Sequence, residues 1–572
     1  MNRNKTLWSL WRQNAETFPD REAIVHWSVG EEPIRWKWFD LINKARSFGR
    51  RLYENGIRQG EVCALIIRHN PDFYPLYMGI VAIGAIPAVL AYPNPRLHPD
   101  KFKAGLRGMS VHSGLDWILT ESELAPQIRS LACEEGTTVR AILTPLENLE
   151  RLEEPDIPEV AVSADQVCLL QHSSGTTGLQ KAVALSHRTV IAHLENLAAA
   201  IKLESSDKIV SWLPLYHDMG LISSFHVPLG SNVPLVQMDP FEWVLAPSTL
   251  WEVIHEERGA VLWMPNFAFN ILADRTREED IEGFRFDSVR MLINCSEPVR
   301  KESIDRFLTR FAAYGIRPES MAASYAMAEV TFAATQTVPG KPPTILAVDR
   351  NVLAGGYAVP PNSDSPVRHC VSSGIPIPGC DLQIIDEQGN VLGEDRVGEI
   401  QIASESMFTG YRNRPDLTAE VLQKDWYASG DFGFVHDGEY YVIGRKKDLI
   451  IVAGKNLYPE DIEDAVSGIA GVLAGRVIAF GYEDIDLGTE RVALVAETAL
   501  TDRSELEKLI REIVETVMAL DITLSKVILV VPRWLVKSSA GKPSRSATQA
   551  RIAGNADNTG ILLIQTFGNG GD

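Results

Sequence analysis

Short apolar runs recur through most of the chain, at residues 62–67, 167–170, 209–213, 260–264 and 289–293, with amphipathic stretches between them. Alternation of this kind predicts α/β layers on parallel or mixed sheets. The longest apolar run, residues 79–91, contains Pro87 and is too short to span a membrane. It reads as a core helix running into a buried strand. From about residue 381 the texture changes. Strand-like segments at 382–385, 399–402 and 440–443 are separated by Gly-containing turns such as Glu387-Gln388-Gly389-Asn390 and Asp437-Gly438, which predicts a β-rich region closing the large part of the chain.

After Gly444-Arg445-Lys446-Lys447-Asp448 the pattern resets. Pro459-Glu460-Asp461 puts proline in a first helical turn and carboxylates at the positive end of the helix dipole. Strands at 477–480 and 492–495 follow. Leu506, Leu509, Ile510, Ile513, Val514 and Val517 then form a helical stripe, and a last strand is expected at 527–531. The fold class expected is therefore α/β plus α+β. Residues 1–444 form a large N-terminal domain of layered α/β subdomains with a β-rich closing subdomain. Residues 445–552 form a small α+β domain, and 553–572, rich in Gly and Asn, a loose tail.

Composition narrows the partners. A chain of 572 residues, 45% apolar, exceeds what one compact core needs. A formal net charge of -20 argues against nucleic acid or an anionic membrane as the main partner. The six cysteines are scattered without a C-x-x-C pair, which suggests neither a zinc site nor a disulfide framework. No signal-peptide pattern opens the sequence, and a cytoplasmic location is expected.

The strongest local chemistry lies at Ser173-Ser174-Gly175-Thr176-Thr177-Gly178-Leu179-Gln180-Lys181, after the apolar run that ends at 170. Glycines let a backbone approach an anion and turn successive N–H groups toward it. Four hydroxyls add donors and Lys181 a positive charge. The segment fits neither the Walker loop nor the nucleophile elbow of serine hydrolases. Alone, such a turn is more often an ordinary flexible loop.

Six further segments follow in order: Trp212-Leu213-Pro214-Leu215-Tyr216-His217-Asp218-Met219-Gly220-Leu221-Ile222, Asn294-Cys295-Ser296-Glu297-Pro298-Val299-Arg300, Ser324-Tyr325-Ala326-Met327-Ala328-Glu329, Ser429-Gly430-Asp431, Gly444-Arg445-Lys446-Lys447-Asp448 and Lys537-Ser538-Ser539-Ala540-Gly541-Lys542. With the loop, they resemble the signature of the adenylate-forming superfamily of acyl-CoA synthetases, nonribosomal adenylation domains and luciferases. The segment that runs from Trp212 to Ile222 is very similar to that of fatty acyl-AMP ligases.

The resemblance implies attack of a carboxylate on the α-phosphorus of ATP, giving acyl-AMP and pyrophosphate, then acyl transfer to a phosphopantetheine thiol of CoA or of an acyl carrier protein. It puts Ser173, Ser174, Gly175, Thr176, Thr177, Gly178 and Lys181 on the phosphates, and Glu329 with Thr176 on Mg2+. Ser296, Glu297 and Pro298 would contact adenine, and Tyr325 would stack on it. Asp431 would accept from the ribose hydroxyls beside Arg445. Lys542 would reach the α-phosphate from the small domain. His217 would gate an acyl pocket lined by Tyr216 and Phe267, for a fatty or a bulky apolar acid. Lys447 would be the hinge of an alternating small domain, and Gly454 and Lys455 would lie on a tunnel for the thiol. Each of these side chains also has an ordinary reading as a turn, core or surface residue.

Three departures from the family pattern stand out. Gln180 and Ala182 replace the usual Pro and Gly around Lys181. A methyl at 182 could crowd the phosphates, so Gln180→Pro with Ala182→Gly is expected to raise acyl-AMP formation. Ala326 replaces the usual Gly after Tyr325. The stretch 331–373 is long and resembles the insertion of fatty acyl-AMP ligases that restrains the small domain and disfavours free CoA. Three functions stay open: an acyl-AMP ligase, an acyl-CoA ligase (in one version specialised for the thioester-forming step), and a non-catalytic binder of acyl-adenylates.

Overall fold

The computed structural model of the protein describes residues 5–93, 99–132, 136–147, 157–158, 160–173, 181–452, 455–484, 489–537, 543–554 and 559–567. Each apolar run marked above becomes a strand: Val62–Ile66, Val167–Ser173, Ile209–Ser211, Val261–Met264 and Met291–Asn294. The long apolar run is divided between the buried helix Phe73–Ala82 and the buried strand Ile86–Val89.

These strands build two large sheets. One has nine strands, and its central strands Met321–Ala326, Met291–Asn294, Val261–Met264, Ile209–Ser211, Leu235–Met238 and Glu22–Trp27 run parallel. The other has seven, in which Val167–Ser173 lies parallel to Ile86–Val89 and antiparallel to Lys181–Ser186. Helices such as Trp38–Glu54, Phe73–Ala82 and His187–Ala200 pack around them and bury their apolar faces. A five-stranded antiparallel sheet that includes Cys380–Ile385, Gly398–Ser404, Trp426–His436 and Glu439–Arg445 closes this part, as the shortened, Gly-punctuated strands predict.

Beyond Arg445 the sheet of Val472–Asp484, Thr489–Thr498, Leu524–Val530 and Ile561–Thr566 packs against the helices Pro459–Ser467 and Arg503–Met518. The stripe Leu506, Leu509, Ile510, Ile513 and Val517 is buried there. One expectation is corrected. The segment 553–572, read as a loose tail, contributes the strand Ile561–Thr566, which pairs antiparallel with Leu524–Val530. Its Ile561, Leu562 and Leu563 run gives the sheet an added strand, which the neighbouring glycines obscured. Among the described residues no helix is long and apolar enough to cross a membrane.

The long stretch 331–373 folds as the antiparallel hairpin Ile345–Asp349/Val367–Val371, with a short helix Arg350–Ala354 at its turn. Val348, Leu353, Ala358 and Cys370 pack with Phe434, Tyr441, Ile443 and Tyr458. The hairpin is thus a packed structural piece that reaches the start of helix Pro459–Ser467. There Arg368, buried, donates to Asp461 Oδ2 at 3.1 Å and to the Ile443 carbonyl at 2.8 Å. Its guanidinium stands 5.0 Å from the Tyr458 ring centroid. Arg300 pairs with Asp464 of the same helix.

Candidate active site

Several described motif residues lie at the carboxyl ends of the parallel strands, where ligands bind in open α/β sheets. Trp212 follows Ile209–Ser211, Cys295 and Ser296 follow Met291–Asn294, and Tyr325 ends Met321–Ala326.

Glu329 sits in the single 3-10 turn Ala328–Val330 and is buried. Its Oε1 accepts a hydrogen bond of 2.7 Å from the Tyr411 hydroxyl. Burial pushes its carboxyl above the usual carboxylate range; the Tyr411 hydroxyl and Lys181 oppose that, while Asp218 adds to it. Lys181 begins the strand Lys181–Ser186 and holds its ammonium 4.6 Å from the Tyr411 ring centroid. Tyr427 lies within electrostatic reach of Tyr411, Glu329 and Tyr325.

A second cluster adjoins this one. The Tyr325 hydroxyl donates to Asp431 Oδ2 at 2.6 Å. Asp431 lies opposite Arg445 across two antiparallel strands, and Arg445 Nε stands 3.5 Å from its Oδ1. The left-handed Gly430 (φ 71°) turns the chain so that Ser429 Oγ accepts from the Asp431 N–H at 3.1 Å. Burial raises the Asp431 carboxyl, against the pull of Arg445. Lys447, in the turn Lys446–Asp448 just after the strand, feels both Asp431 and Lys181.

His217 and Asp218 precede a π-helical turn, Met219–His226, a distortion frequent at functional sites. His217 Nδ1 lies 2.6 Å from Asp218 Oδ1. Gly220 is required here, because a Cβ would stand 2.3 Å from the Pro214 carbonyl oxygen. Tyr216 is half-buried against the main core. Trp212 stacks on Trp243 with centroids 3.6 Å apart, and the edge of Phe267 meets Trp212 at 6.3 Å. This makes an apolar wall beside the polar clusters.

In the loop 294–300, Ser296 is left-handed (φ 68°). Glu297 Oε2 accepts from the Phe267 N–H at 3.0 Å, placing a carboxylate at the positive end of helix Asn266–Arg275. Asn266 Oδ1 accepts from Asn294 Nδ2 at 2.9 Å and from the Arg300 N–H at 3.3 Å, fixing the loop around Pro298.

Tyr411 and Tyr427 were not picked out from the sequence. Only the Gly410-Tyr411 pair carries a local signal, since Gly410 is left-handed (φ 138°). Ser174, Gly175, Thr176, Thr177, Gly178, Gly454 and Lys542 lie outside the described residues, as do the side chains of Ser173 and Lys455.

The concern over Ala182 is corrected. Residues alternate across a strand. Lys181 and Val183 face Tyr411, whereas the Ala182 methyl is buried with Ala184, Leu170, Ile86 and Val62 on the opposite face. Ala182→Gly is therefore expected to cost about 0.5–1 kcal/mol in urea unfolding, as glycine does in strands, and to leave pyrophosphate release unraised.

A single protein carboxylate, completed by phosphate oxygens and water, is how Mg2+ is commonly held in nucleotide sites. Buried Glu329 beside Lys181 fits that pattern. No cluster of three or more His, Cys, Asp or Glu that could hold a metal unaided occurs among the described residues.

Comparison with known proteins gives the family and the fold. The family described as AMP-binding enzyme matches residues 11–412. A probable long-chain-fatty-acid–AMP ligase of Mycobacterium tuberculosis is 30% identical, covering 96% of this chain and 98% of its own. Among solved structures, one from studies of fatty acyl-adenylate ligases of E. coli and L. pneumophila superposes with a TM-score of 0.89 at 24% identity, covering 97% of this chain and 99% of that one. The L. pneumophila fatty acyl-adenylate ligase in complex with acyl adenylate and pyrophosphate superposes with a TM-score of 0.74 at 24% identity, covering 98% of each chain.

Proposed function

The chain belongs to the AMP-binding enzymes of the adenylate-forming superfamily, and from that premise we propose that it activates a long-chain or similarly bulky apolar acid as acyl-AMP and passes the acyl group to a carrier-protein phosphopantetheine. The observation that carries the reading is the joining of two clusters beside one apolar wall: Lys181, Tyr411 and Glu329, then Tyr325, Asp431 and Arg445.

In the first step a carboxylate oxygen bonds to the α-phosphorus of ATP and the bond to the β-phosphate oxygen breaks, releasing pyrophosphate. Lys181, with the loop 173–180 and Lys542, would stabilise phosphate charge developing in that step. Glu329, with Thr176, would hold Mg2+, which supplies Lewis-acid charge neutralisation when bound. The Asp431 carboxylate, placed by Tyr325 and Arg445, is suited to accept from the ribose hydroxyls. Ser296, Glu297 and Pro298 would shape the adenine side, where Glu297 acts through its bond to the Phe267 N–H. Tyr216, His217 and Phe267, backed by Trp212 and Trp243, would line the acyl pocket. In the second step a thiol attacks the acyl carbon and AMP leaves. Residues 445–552, hinged at Lys447, would turn to present Gly454 and Lys455 to the pantetheine arm.

A carrier protein is favoured over free CoA by the hairpin Ile345–Asp349/Val367–Val371, whose Arg368 binds Asp461 of the small domain and would restrain it. The test incubates the protein with ATP, Mg2+ and a panel of fatty and polycyclic acids, with CoA or a phosphopantetheinylated carrier. Pyrophosphate and acyl-AMP, with thioester on the carrier and little on CoA, are expected. Failure to release pyrophosphate with every acid overturns the reading. Equal transfer to CoA makes the protein an acyl-CoA ligase instead.

A further inference from the structure

Tyr411 lies where three segments of the site are joined. Its strand, Gly410–Tyr411, pairs antiparallel with Lys181–Ser186, with Tyr411 opposite Val183. The Thr409 N–H donates to the Ala184 carbonyl and the Arg412 N–H to the Ala182 carbonyl, both at 2.9 Å. The Phe408 N–H donates to the Glu329 carbonyl at 2.8 Å. The Tyr411 N–H itself is taken by Thr418 Oγ1 at 2.9 Å. The backbone around Tyr411 is therefore fixed to both the lysine strand and the glutamate turn, and the residue is only 5% exposed.

The side chain uses two different handles on two opposite charges. Its ring face receives the Lys181 ammonium at 4.6 Å, within the range of a cation–π contact. Its hydroxyl donates to Glu329 Oε1 at 2.7 Å. Phe408, edge-on with centroids 5.0 Å apart, keeps the ring in place.

An ammonium and a carboxylate this near each other in a buried site would otherwise close into a direct ion pair, because their attraction grows as the dielectric falls. Such a pair would turn both groups away from a polyphosphate and its metal. Each of the two instead meets Tyr411, the ammonium over its ring and the carboxylate at its hydroxyl. Resting on the ligase reading above, we propose that Tyr411 is a positioning residue: it keeps Lys181 and Glu329 apart and aimed, so that the lysine meets phosphate and the carboxylate meets Mg2+ in one preorganised arrangement.

Tyr411→Phe keeps the ring and removes the hydroxyl, while Tyr411→Leu removes both handles. The first is expected to weaken binding of Mn2+ together with a non-hydrolysable ATP analogue, followed by electron paramagnetic resonance, by about tenfold, the usual scale for a residue supporting a metal ligand. The Mg2+ midpoint of pyrophosphate release shifts equally, and the KM for the acid stays unchanged. Tyr411→Leu raises the KM for ATP in addition. In a Glu329→Gln background Tyr411→Phe is expected to cost nothing further, since the two act as one unit. Unchanged Mn2+ affinity, or full additivity with Glu329→Gln, overturns the role of Tyr411 while leaving the ligase reading standing. Wild-type protein that binds no Mn2+ with the analogue overturns both.

Discussion

Glu329→Gln is expected to lower pyrophosphate release by about a hundredfold or more while leaving the protein at least as stable as wild type. The activity loss follows from charge. Glutamine fills the same volume and can still accept from the Tyr411 hydroxyl, but it brings no negative charge to a hard cation. Metal-based charge stabilisation is worth several kcal/mol in a transition state, and each ~1.4 kcal/mol is a factor of ten in rate. The stability follows from burial. Glu329 carries its carboxyl in a dry site that pushes it above the usual range in spite of Tyr411 and Lys181. A carboxyl whose folded-state value lies above its unfolded one opposes folding once it ionises, so at neutral pH the charge is a burden that glutamine lifts. Loss of activity together with unchanged or raised Tm is the mark of a side chain kept for chemistry. A variant that loses both in proportion places Glu329 among the packing residues instead.

Arg368→Ala is the second large effect expected, about 3–5 kcal/mol of stability, the usual penalty for removing one member of a buried pair. Arg368 and Asp461 side chains are 8% and 9% exposed. Truncating the arginine leaves the carboxylate without its guanidinium and also removes the bond to the Ile443 carbonyl and the contact with Tyr458. The double variant Arg368→Met with Asp461→Leu should recover most of the loss, because an apolar pair of similar volume replaces both charges. Urea unfolding of wild type, the single and the double variant checks both statements. In the same single variant the yield of acyl-CoA relative to acyl-AMP should rise, as the hairpin loses its main polar hold on helix Pro459–Ser467. An unchanged ratio in a variant that remains folded would separate the hairpin from control of the acceptor.

Both predictions rest on residues that the sequence treats unequally. Glu329 stands in a motif whose order with six others pointed to the family, and the structure sets it beside Tyr411 and Lys181. Arg368 stands in a polar stretch with no distinguishing pattern. Its partner lies 93 residues away on a helix start that the sequence did reveal, through Pro459 and the carboxylates after it.

The same division runs through the whole chain. Apolar runs, Gly-containing turns and a period-3.6 stripe determined the strands, the core helix, the β-rich closure and the separate small sheet, because period and burial are properties of neighbouring residues. The motifs determined the family for the same reason: each is a local string whose spacing is readable. What touches what was decided only by tertiary structure. Tyr411 reaches Glu329 across 82 residues. Ala182 turns its methyl into the core because the strand register puts Lys181 on the other face. Ile561–Thr566 becomes a strand because Leu524–Val530 offers it an open edge. A strand pattern fixes which faces are apolar. It leaves open which strand comes alongside and in what register, and that choice set these contacts.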